Sequence, residues 1–356
     1  MSLSSTRGLV RISINPRCEF QAAMVAEGVR EPELFRRVTG REYDREYGER
    51  ASARSRGAKF EENLCMNNAA LLRSALARLY GYNPEEMVVR NFADEVPGVK
   101  GVRVIRLNRT RQVLRDLAAG NEVPHLLIQP QLSLPIELDR SFVEYVAPDF
   151  MVLDGRTNIY RPGEMKSFII REGRADKADL NLTRRQAAAQ ILALRSECVP
   201  YDLAGRVTSA ATFIFATPYG LSPAAPFEDV LEGPIREIGR AIEVLRAARR
   251  RLESRRQQDG ARLEMLYDEI PVSFQESCLG SCIMAGECKK KMAASGRVLG
   301  DEIGDLLGED ISLERAVELL GGAEPENPAE REIAERLSDG ASILGSGEPG
   351  TGRRVA

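Results

Sequence analysis

The sequence has few of the residues on which several common kinds of active site depend. It contains a single histidine, His125, and no tryptophan, and aromatic residues make up only 6% of its 356 residues. One histidine excludes a metal site built on two histidines and argues against a nucleophile activated by histidine. The shortage of aromatic residues argues against an extended base-stacking surface. His125 opens an apolar run, which predicts a packed or hydrogen-bonded side chain.

Two longer patterns are also missing. No Gly-x-x-x-x-Gly-Lys-Ser/Thr loop occurs, which excludes an ATP-driven motor of that type. No apolar run approaches the roughly 20 residues that a membrane span needs, so we expect a cytoplasmic protein with no membrane contact. The net charge is −3, so any nucleic-acid binding has to depend on local basic patches. The basic runs at 246–256 and 289–291 are candidates, and each also fits a solvated surface.

The most informative segment is a hairpin pattern that begins at Pro148-Asp149. A short apolar run at 150–153 is followed by the turn dipeptide Asp154-Gly155 and by a second strand candidate at 158–168. Symmetric pairing about the turn places Asp149 opposite Pro162, diagonally next to Glu164. The Pro162-Gly163 pair predicts a bulge there, because proline cannot donate to a strand ladder.

Alternation along the second strand places Glu164 and Lys166 on one face, with Met165 on the other. Asp149 and Glu164 could therefore bind a hard cation such as Mg²⁺ or Mn²⁺ beside a phosphate. Lys166 would orient the attacking water or offset charge that develops on the phosphate oxygens. An ordinary surface hairpin ending in Glu and Lys is the alternative interpretation.

This combination resembles the PD-(D/E)XK nuclease superfamily, in which Pro-Asp and then Glu-x-Lys carry the metal site. The resemblance implies an α/β fold whose αβββαβ core has a mixed sheet flanked by helices, with helical additions at both ends. The start of the long helix predicted over 56–80 resembles the first motif of this superfamily. This implies Glu61, rather than Glu62, as a third metal ligand, although acidic residues also favour the first turn of any helix.

Downstream, the segment from Thr183 to Gln186 matches a capping box that would open a helix running to about residue 197. The RecB-like branch of the superfamily carries Gln-x-x-x-Tyr on this helix, which implies Gln186 in the active site. Here Gln190 replaces the tyrosine, on the same helix face as Gln186, and is expected to contact nucleic acid. Arg184 and Arg185 could bind phosphate or remain solvated.

Three closely spaced cysteines, Cys278, Cys282 and Cys288, form a second signal. Such a group suits a metal centre better than a core and lacks a fourth ligand. It resembles the iron-sulfur proteins of the RecB-like branch, including a CRISPR-associated exonuclease family, with one extra residue in the first gap. In those proteins an N-terminal cysteine after a short Ser-containing strand completes a 4Fe-4S cluster. This implies Cys18 rather than Cys65, and a structural zinc is the alternative.

We expect five segments along the chain. They are an N-terminal arm (1–55) that contributes one cluster cysteine, a nuclease core (56–220), a helical segment with the three-cysteine motif (221–295), a small acidic helical module (296–344) and a disordered tail (345–356). Within the core we expect strands near 101–106, 125–134 and 208–217.

These features together predict a Mg²⁺- or Mn²⁺-dependent deoxyribonuclease that hydrolyses phosphodiester bonds. The resemblance implies a RecB-like exonuclease on single-stranded DNA or duplex ends, serving defence, CRISPR adaptation or recombination. The alternatives are a catalytically silent scaffold of the same fold that binds nucleic acid or a partner, and a site-specific endonuclease. The acidic module could dock a protein partner.

Overall fold

The computed structural model describes residues 6–28, 31–42, 51–95, 101–137, 142–169, 177–217, 220–275, 277–292, 307 and 311–345. The chain divides into two compact units. The first contains Met1–Pro16 and Gln21–Tyr267, and the second contains Arg17–Phe20 and Asp268–Ala356. Among the described residues, no helix is both long and apolar enough to cross a membrane.

The described strands all lie in the first unit. They are β1 (Val89–Asn91), β2 (Leu126–Ile128), β3 (Leu132–Pro135), β4 (Val143–Val146), β5 (Phe150–Asp154), β6 (Ile159–Ile169), β7 (Ala210–Ala216) and β8 (Phe227–Val230). Six of them form one sheet in the order β1-β2-β5-β6-β7-β8, and β3 and β4 form a separate pair. The six-stranded sheet is mixed, because β1 is parallel to β2 and β6 to β7 while the other neighbours are antiparallel.

The described helices are α1 (Thr6–Ile14), α2 (Glu19–Glu27), α3 (Glu31–Thr39), α4 (Ala51–Tyr80), α5 (Phe92–Glu95), α6 (Val102–Ala118), α7 (Lys177–Cys198), α8 (Glu232–Asp259), α9 (Cys278–Ser281), α10 (Ala285–Lys291), α11 (Leu313–Leu320) and α12 (Pro328–Gly345). The prediction of an α/β fold with a mixed sheet and flanking helices is therefore confirmed.

Alternation along the central strands separates two hydrophobic cores. Phe150, Met165 and Ile214 pack with α4 on one face of the sheet. Phe213 and Phe215 pack on the other face with residues of α1, α7 and α8. Because side chains alternate along a strand, Glu164 and Lys166 project to the face opposite Met165, which is the face that α7 covers. The layered core thus decides which helix meets the two charged side chains.

The hairpin is present, with a different register from the one the sequence predicts. Phe150 pairs with Gly163 and Met151 with Pro162, in unbroken register to the end of β5. Asp149 therefore comes opposite Glu164, one pair beyond Phe150, and the predicted bulge at Pro162-Gly163 is wrong. The parallel ladder to β7 begins only at Gly163, so Pro162 precedes it. The irregularity in β6 lies further on, between Lys166 and Ile169, in its pairing with β7.

Several predicted elements differ from the structure. The strand expected near 101–106 is the start of α6, whose buried residues Leu107, Thr110, Val113, Leu114 and Leu117 recur at helical spacing. The strand expected over 125–134 is split into β2 and β3 by a left-handed residue, Gln129. The strand expected before Cys18 is helix α1. The strand expected over 208–217 is confirmed as β7.

Two predicted helices also have different geometry. Helix α7 begins at Lys177, so Thr183 lies inside the helix and donates a hydrogen bond to Asp179 O at 2.9 Å. The predicted capping box is therefore wrong, because an interior threonine bonds back to the preceding turn. Helix α4 is broken at 66–69, where Asn67, Asn68 and Ala69 adopt left-handed backbone angles. Its end at Gly81 agrees with the prediction, since Gly81 has φ +74°.

In the second unit, α11 and α12 form a small helical module with its own core. Leu307, Ile311, Ala316, Leu319 and Ile333 pack together there. Arg315 binds Glu330 at 2.7 Å between the two helices. The expected disordered tail, 345–356, lies outside the described residues except for Gly345, where α12 ends.

Candidate active site

Strands β5 and β6 bring Asp149, Glu164 and Lys166 together. Asp149 lies just before β5, and its Oδ2 accepts a hydrogen bond from the backbone N–H of Met165 at 2.7 Å. Lys166 Nζ lies 3.6 Å from the same Asp149 oxygen and forms an ion pair with Glu164 Oε2. The two carboxylates and the ammonium group that the sequence predicts at one site therefore meet there.

Glu164 is the most deeply buried member of this group, with 3% of its surface exposed. Burial, and next the negative charge of Asp149, raise the pKa of Glu164 to about 7. Lys166 and Gln190 act in the opposite direction, because each favours the ionised carboxylate. The two neighbouring carboxylates therefore favour a positive charge beside them.

Lys166 supplies a positive charge beside the two carboxylates. Burial lowers the pKa of Lys166, but the charges of Asp149 and Glu164 outweigh burial, and the pKa lies above its ordinary value. Lys166 therefore carries a positive charge at neutral pH. Its chemistry at this site is that of a cation and hydrogen-bond donor, not of a base.

Helix α7 contributes Gln186 and Gln190 from one face. Gln190 is 2% exposed, and its Nε2 donates a hydrogen bond to Glu164 Oε1. Its own Oε1 has no hydrogen-bond partner among the described residues. Gln186 lines the same cavity one turn earlier. The glutamine that contacts the carboxylate is therefore Gln190, and Gln186 lies beside it.

A cavity of about 270 Å³ joins these groups to solvent. It is lined by the charged and polar side chains described above and by residues from several other elements, namely Thr6, Arg7, Arg103, Gln131, Tyr145 and Ala147. Helices α1 and α6 both present their first turns to it. The cavity therefore combines acidic residues at one wall with two arginines from helix starts.

Glu61 is not among the residues that line this cavity. It lies in the first half of α4, the helix that packs on the opposite face of the sheet from Glu164. Its charge nevertheless contributes to the raised pKa of Lys166 and, after burial, to that of Cys65. Glu61 is thus within electrostatic reach of the site rather than in its wall.

Arg184 and Arg185 line a different cavity, of about 300 Å³, near the start of α8. Arg184 Nε donates to Asp229 Oδ2 at 2.6 Å, and Arg185 Nη2 lies 2.8 Å from Glu237 Oε2. Both arginines are thus ion-paired within the fold. Four of the eight arginines of α8 behave similarly, since Arg246, Arg249, Arg255 and Arg256 each pair with a carboxylate.

The cysteines separate into two environments. Cys18, Cys278, Cys282 and Cys288 are all buried and all belong to the second unit. Burial raises the pKa of Cys282 to about 12, with contributions from the nearby Cys288, Cys18 and Cys278 thiols. Cys65 lies in α4 of the first unit, and burial, Glu61 and Asp149 raise its pKa to about 11. Cys18, not Cys65, thus lies with the three-cysteine motif.

Within the described residues, no three His, Cys, Asp or Glu side chains form a group that could hold a metal. The chemistry of the donors at the two sites, carboxylate oxygens at one and thiols at the other, nevertheless suits a metal. At the cavity, a bound cation would offset the repulsion that raises the pKa of Glu164. None of the six cysteines, all of them described, forms a disulfide. Four buried thiols in one unit suit a metal, because metal binding stabilises the thiolate form of cysteine.

Two features of the site escape prediction from sequence. The lining residues Arg7, Arg103 and Tyr145 belong to no recognisable motif. The choice of Gln190 over Gln186 as the partner of Glu164 depends on how α7 is rotated against the sheet. No family model, curated protein or solved structure matches this chain.

Proposed function

We propose that this protein is a metal-dependent deoxyribonuclease of the PD-(D/E)XK type that hydrolyses phosphodiester bonds. The observation that carries the proposal is the meeting of Asp149, Glu164 and Lys166 at the wall of one cavity, with Lys166 contacting both carboxylates. Acidic residues that bind a cation, beside a lysine that can contact phosphate oxygens, are the groups that phosphodiester hydrolysis requires.

The residues have separate roles in this proposal. Asp149 and Glu164 would hold Mg²⁺ or Mn²⁺, and the Met165 N–H fixes the orientation of Asp149. When bound, the divalent cation supplies Lewis acidity toward the phosphate and lowers the pKa of water. Lys166 offsets negative charge on the phosphate oxygens. Gln190 orients Glu164, and its Oε1 is available to accept a hydrogen bond from the attacking water.

The order of elements supports the same proposal. Helix α4, strands β2, β5 and β6, helix α7 and strand β7 follow one another in the chain, which is the αβββαβ order of this nuclease core. Strand β1, helices α5 and α6 and the β3-β4 pair are inserted among them. The glutamine-bearing helix after the Glu-x-Lys strand favours the RecB-like branch, and we propose exonuclease activity on single-stranded DNA or duplex ends by that likeness.

We also propose that Cys18, Cys278, Cys282 and Cys288 hold a 4Fe-4S cluster. Their burial in one unit and their mutual effect on the pKa of Cys282 support a shared ligand. Such a cluster would join residues near 18 to residues near 280, so its loss should weaken folding more than chemistry. Zinc would suit four thiolates as well, and the experiment below separates the two.

Cleavage is tested with labelled single- and double-stranded DNA in Mn²⁺ and in Mg²⁺. Wild type should cleave and stop on addition of a chelator, and Lys166→Ala should lose about 100-fold or more in rate. Lys177→Ala is the matched control, because Lys177 is exposed at the start of α7 and lies outside the cavity. Unchanged cleavage by Lys166→Ala would sink the mechanism.

The cluster is tested by anaerobic purification, a visible absorption spectrum and analysis for iron, acid-labile sulfide and zinc. Broad charge-transfer absorption with roughly four irons and four sulfides per chain is expected. Cys18→Ser should lose this absorption, and Cys65→Ser should keep it. A colourless protein loaded with zinc would overturn the cluster.

A further inference from the structure

The cavity is lined by three basic side chains and only two carboxylates. Arg7, Arg103 and Lys166 line the cavity of about 270 Å³ together with Asp149 and Glu164. Lys166 already pairs with both carboxylates. A single bound cation would offset the acidic wall further, so Arg103 remains for a negatively charged ligand.

Arg103 differs from every other arginine of α6. Arg106 donates to Gln129, Arg109 pairs with Glu95, Arg111 pairs with Glu197 and Arg115 donates to Gln112. Arg103 is exposed, and it has no hydrogen-bond or ion-pair partner in the part of the chain that the structure describes. Its guanidinium group is therefore available at the cavity wall without breaking any contact of the fold.

Two further observations point to a bound ligand or water in this cavity. Helix α6 begins at Val102 after Gly101, which has no side chain with which to cap the first turn, and a helix start of this kind attracts anions. On the acidic side, the buried Oε1 of Gln190 lacks a donor among the described residues. A buried acceptor without a partner is costly, which favours a ligand or water that donates to it.

We propose that Arg103 binds the phosphate next to the scissile one and thereby makes the site specific for a chain of at least two successive phosphates. This inference rests on the proposed function and extends it from the reacting group to the substrate. The guanidinium fork matches two phosphate oxygens at once, which a lysine cannot do. The positive end of the α6 dipole, next to Arg103 in the chain, adds to the attraction for an anion.

The test compares two substrates in Mn²⁺. One is a labelled single-stranded oligonucleotide, and the other is the p-nitrophenyl ester of thymidine 5′-phosphate, which has a single phosphate. For Arg103→Ala, the ratio of kcat/KM for the oligonucleotide to kcat/KM for the ester should fall about tenfold. The dependence of kcat/KM for the oligonucleotide on salt concentration should also weaken, by the slope expected for about one phosphate contact. Arg103→Lys should lie between wild type and Arg103→Ala.

Arg115→Ala is the matched control, since Arg115 lies on the same helix, is exposed and does not line the cavity. It should leave the ratio at the wild-type value. A wild-type ratio in Arg103→Ala overturns this inference and leaves the proposed function standing. Failure of wild type to hydrolyse either substrate overturns the proposed function, and this inference falls with it.

Discussion

Gln190 donates a hydrogen bond to Glu164 across the junction of α7 and β6, and both side chains are almost completely buried. The bond fixes one carboxylate oxygen of Glu164, while Lys166 pairs with the other. Glu164 is thus held on both sides, which leaves its carboxylate little freedom to rotate. In the proposed nuclease this constraint sets the orientation of a cation ligand.

Replacing Gln190 should therefore weaken cation binding more than replacing Gln186. Gln190→Ala leaves Glu164 Oε1 without its donor, and losing a hydrogen bond that orients a metal ligand costs about 10–100-fold in activity or metal affinity. The Mn²⁺ concentration for half-maximal cleavage should rise in Gln190→Ala. Gln186→Ala makes the matched comparison, and an equal or larger shift there would contradict the assigned role of Gln190.

A methyl group added at Gly163 should disturb the strand that carries Glu164, from the opposite face of the sheet. A Cβ at this position would lie 2.1 Å from the Phe150 ring, which is fully buried. Gly163→Ala therefore forces a shift next to Glu164 and should lower the free energy of unfolding by about 1–3 kcal/mol. Urea denaturation measures this loss, and cleavage should fall as well.

Two companion variants sharpen that experiment. Gly239→Ala, inside α8 with nothing within 4 Å of the added methyl, should stabilise the protein by about 0.5–1 kcal/mol. Phe150→Leu combined with Gly163→Ala should recover part of the lost stability, because the smaller side chain makes room. Additive losses in the double variant would show that the ring is not the obstacle.

In the break of α4, replacing alanine by glycine should stabilise the protein, whereas the same replacement in a regular helix destabilises it. Ala69 is buried and has φ +56°, a conformation that strains any residue with a Cβ. Ala69→Gly should therefore stabilise the fold by about 1 kcal/mol in thermal or urea unfolding. Ala75→Gly, in the regular part of the same helix, should destabilise it by a similar amount. Destabilisation by both substitutions would place Ala69 in ordinary helical geometry.

Asp154 predicts a stability change with pH. It is buried and binds Arg156 at 2.9 Å and Arg161 at 2.5 Å. Burial raises its pKa, but the hydrogen bonds and charges of Arg156 and Arg161 outweigh burial and hold the pKa below 3.8. The stabilisation is therefore complete above pH 3.8 and is lost as the pH falls through the lower, folded-state pKa.

Asp154→Asn should lower the free energy of unfolding by about 3 kcal/mol at pH 7, because it leaves a buried arginine with one partner fewer. The difference from wild type should shrink as the pH falls below 3.8. Urea denaturation between pH 7 and pH 3 measures both effects, with the exposed Asp202→Asn as control. A difference that does not change with pH would contradict the argument.

Local patterns predict the central part of this fold well. The turn dipeptide Asp154-Gly155 and the alternation around Met165 are sufficient to predict the hairpin. His125 is confirmed as a hydrogen-bonded residue, since its Nδ1 accepts from Val88 N–H at 3.1 Å. These features depend on neighbours in sequence, or on one face of one strand, so a single chain contains the necessary information.

Features set by tertiary packing are less predictable. The start of α6 alternates β-branched and basic residues like a strand, and only its later residues show the helical stripe that is buried. Gln186 and Gln190 share a helix face, so spacing alone cannot select the one that reaches Glu164. The register at Pro162 depends on where β7 begins to pair, and β7 lies more than 40 residues downstream.

The placement of residues 17–20 in the second unit has a consequence for synthesis on the ribosome. The Phe20 N–H donates to Pro271 O at 3.2 Å, so this short segment reaches its final hydrogen bond only after Pro271 has emerged. The whole of the first unit, which ends at Tyr267, has been translated by then. Residues 17–20 are therefore synthesised early but form this contact only late in synthesis.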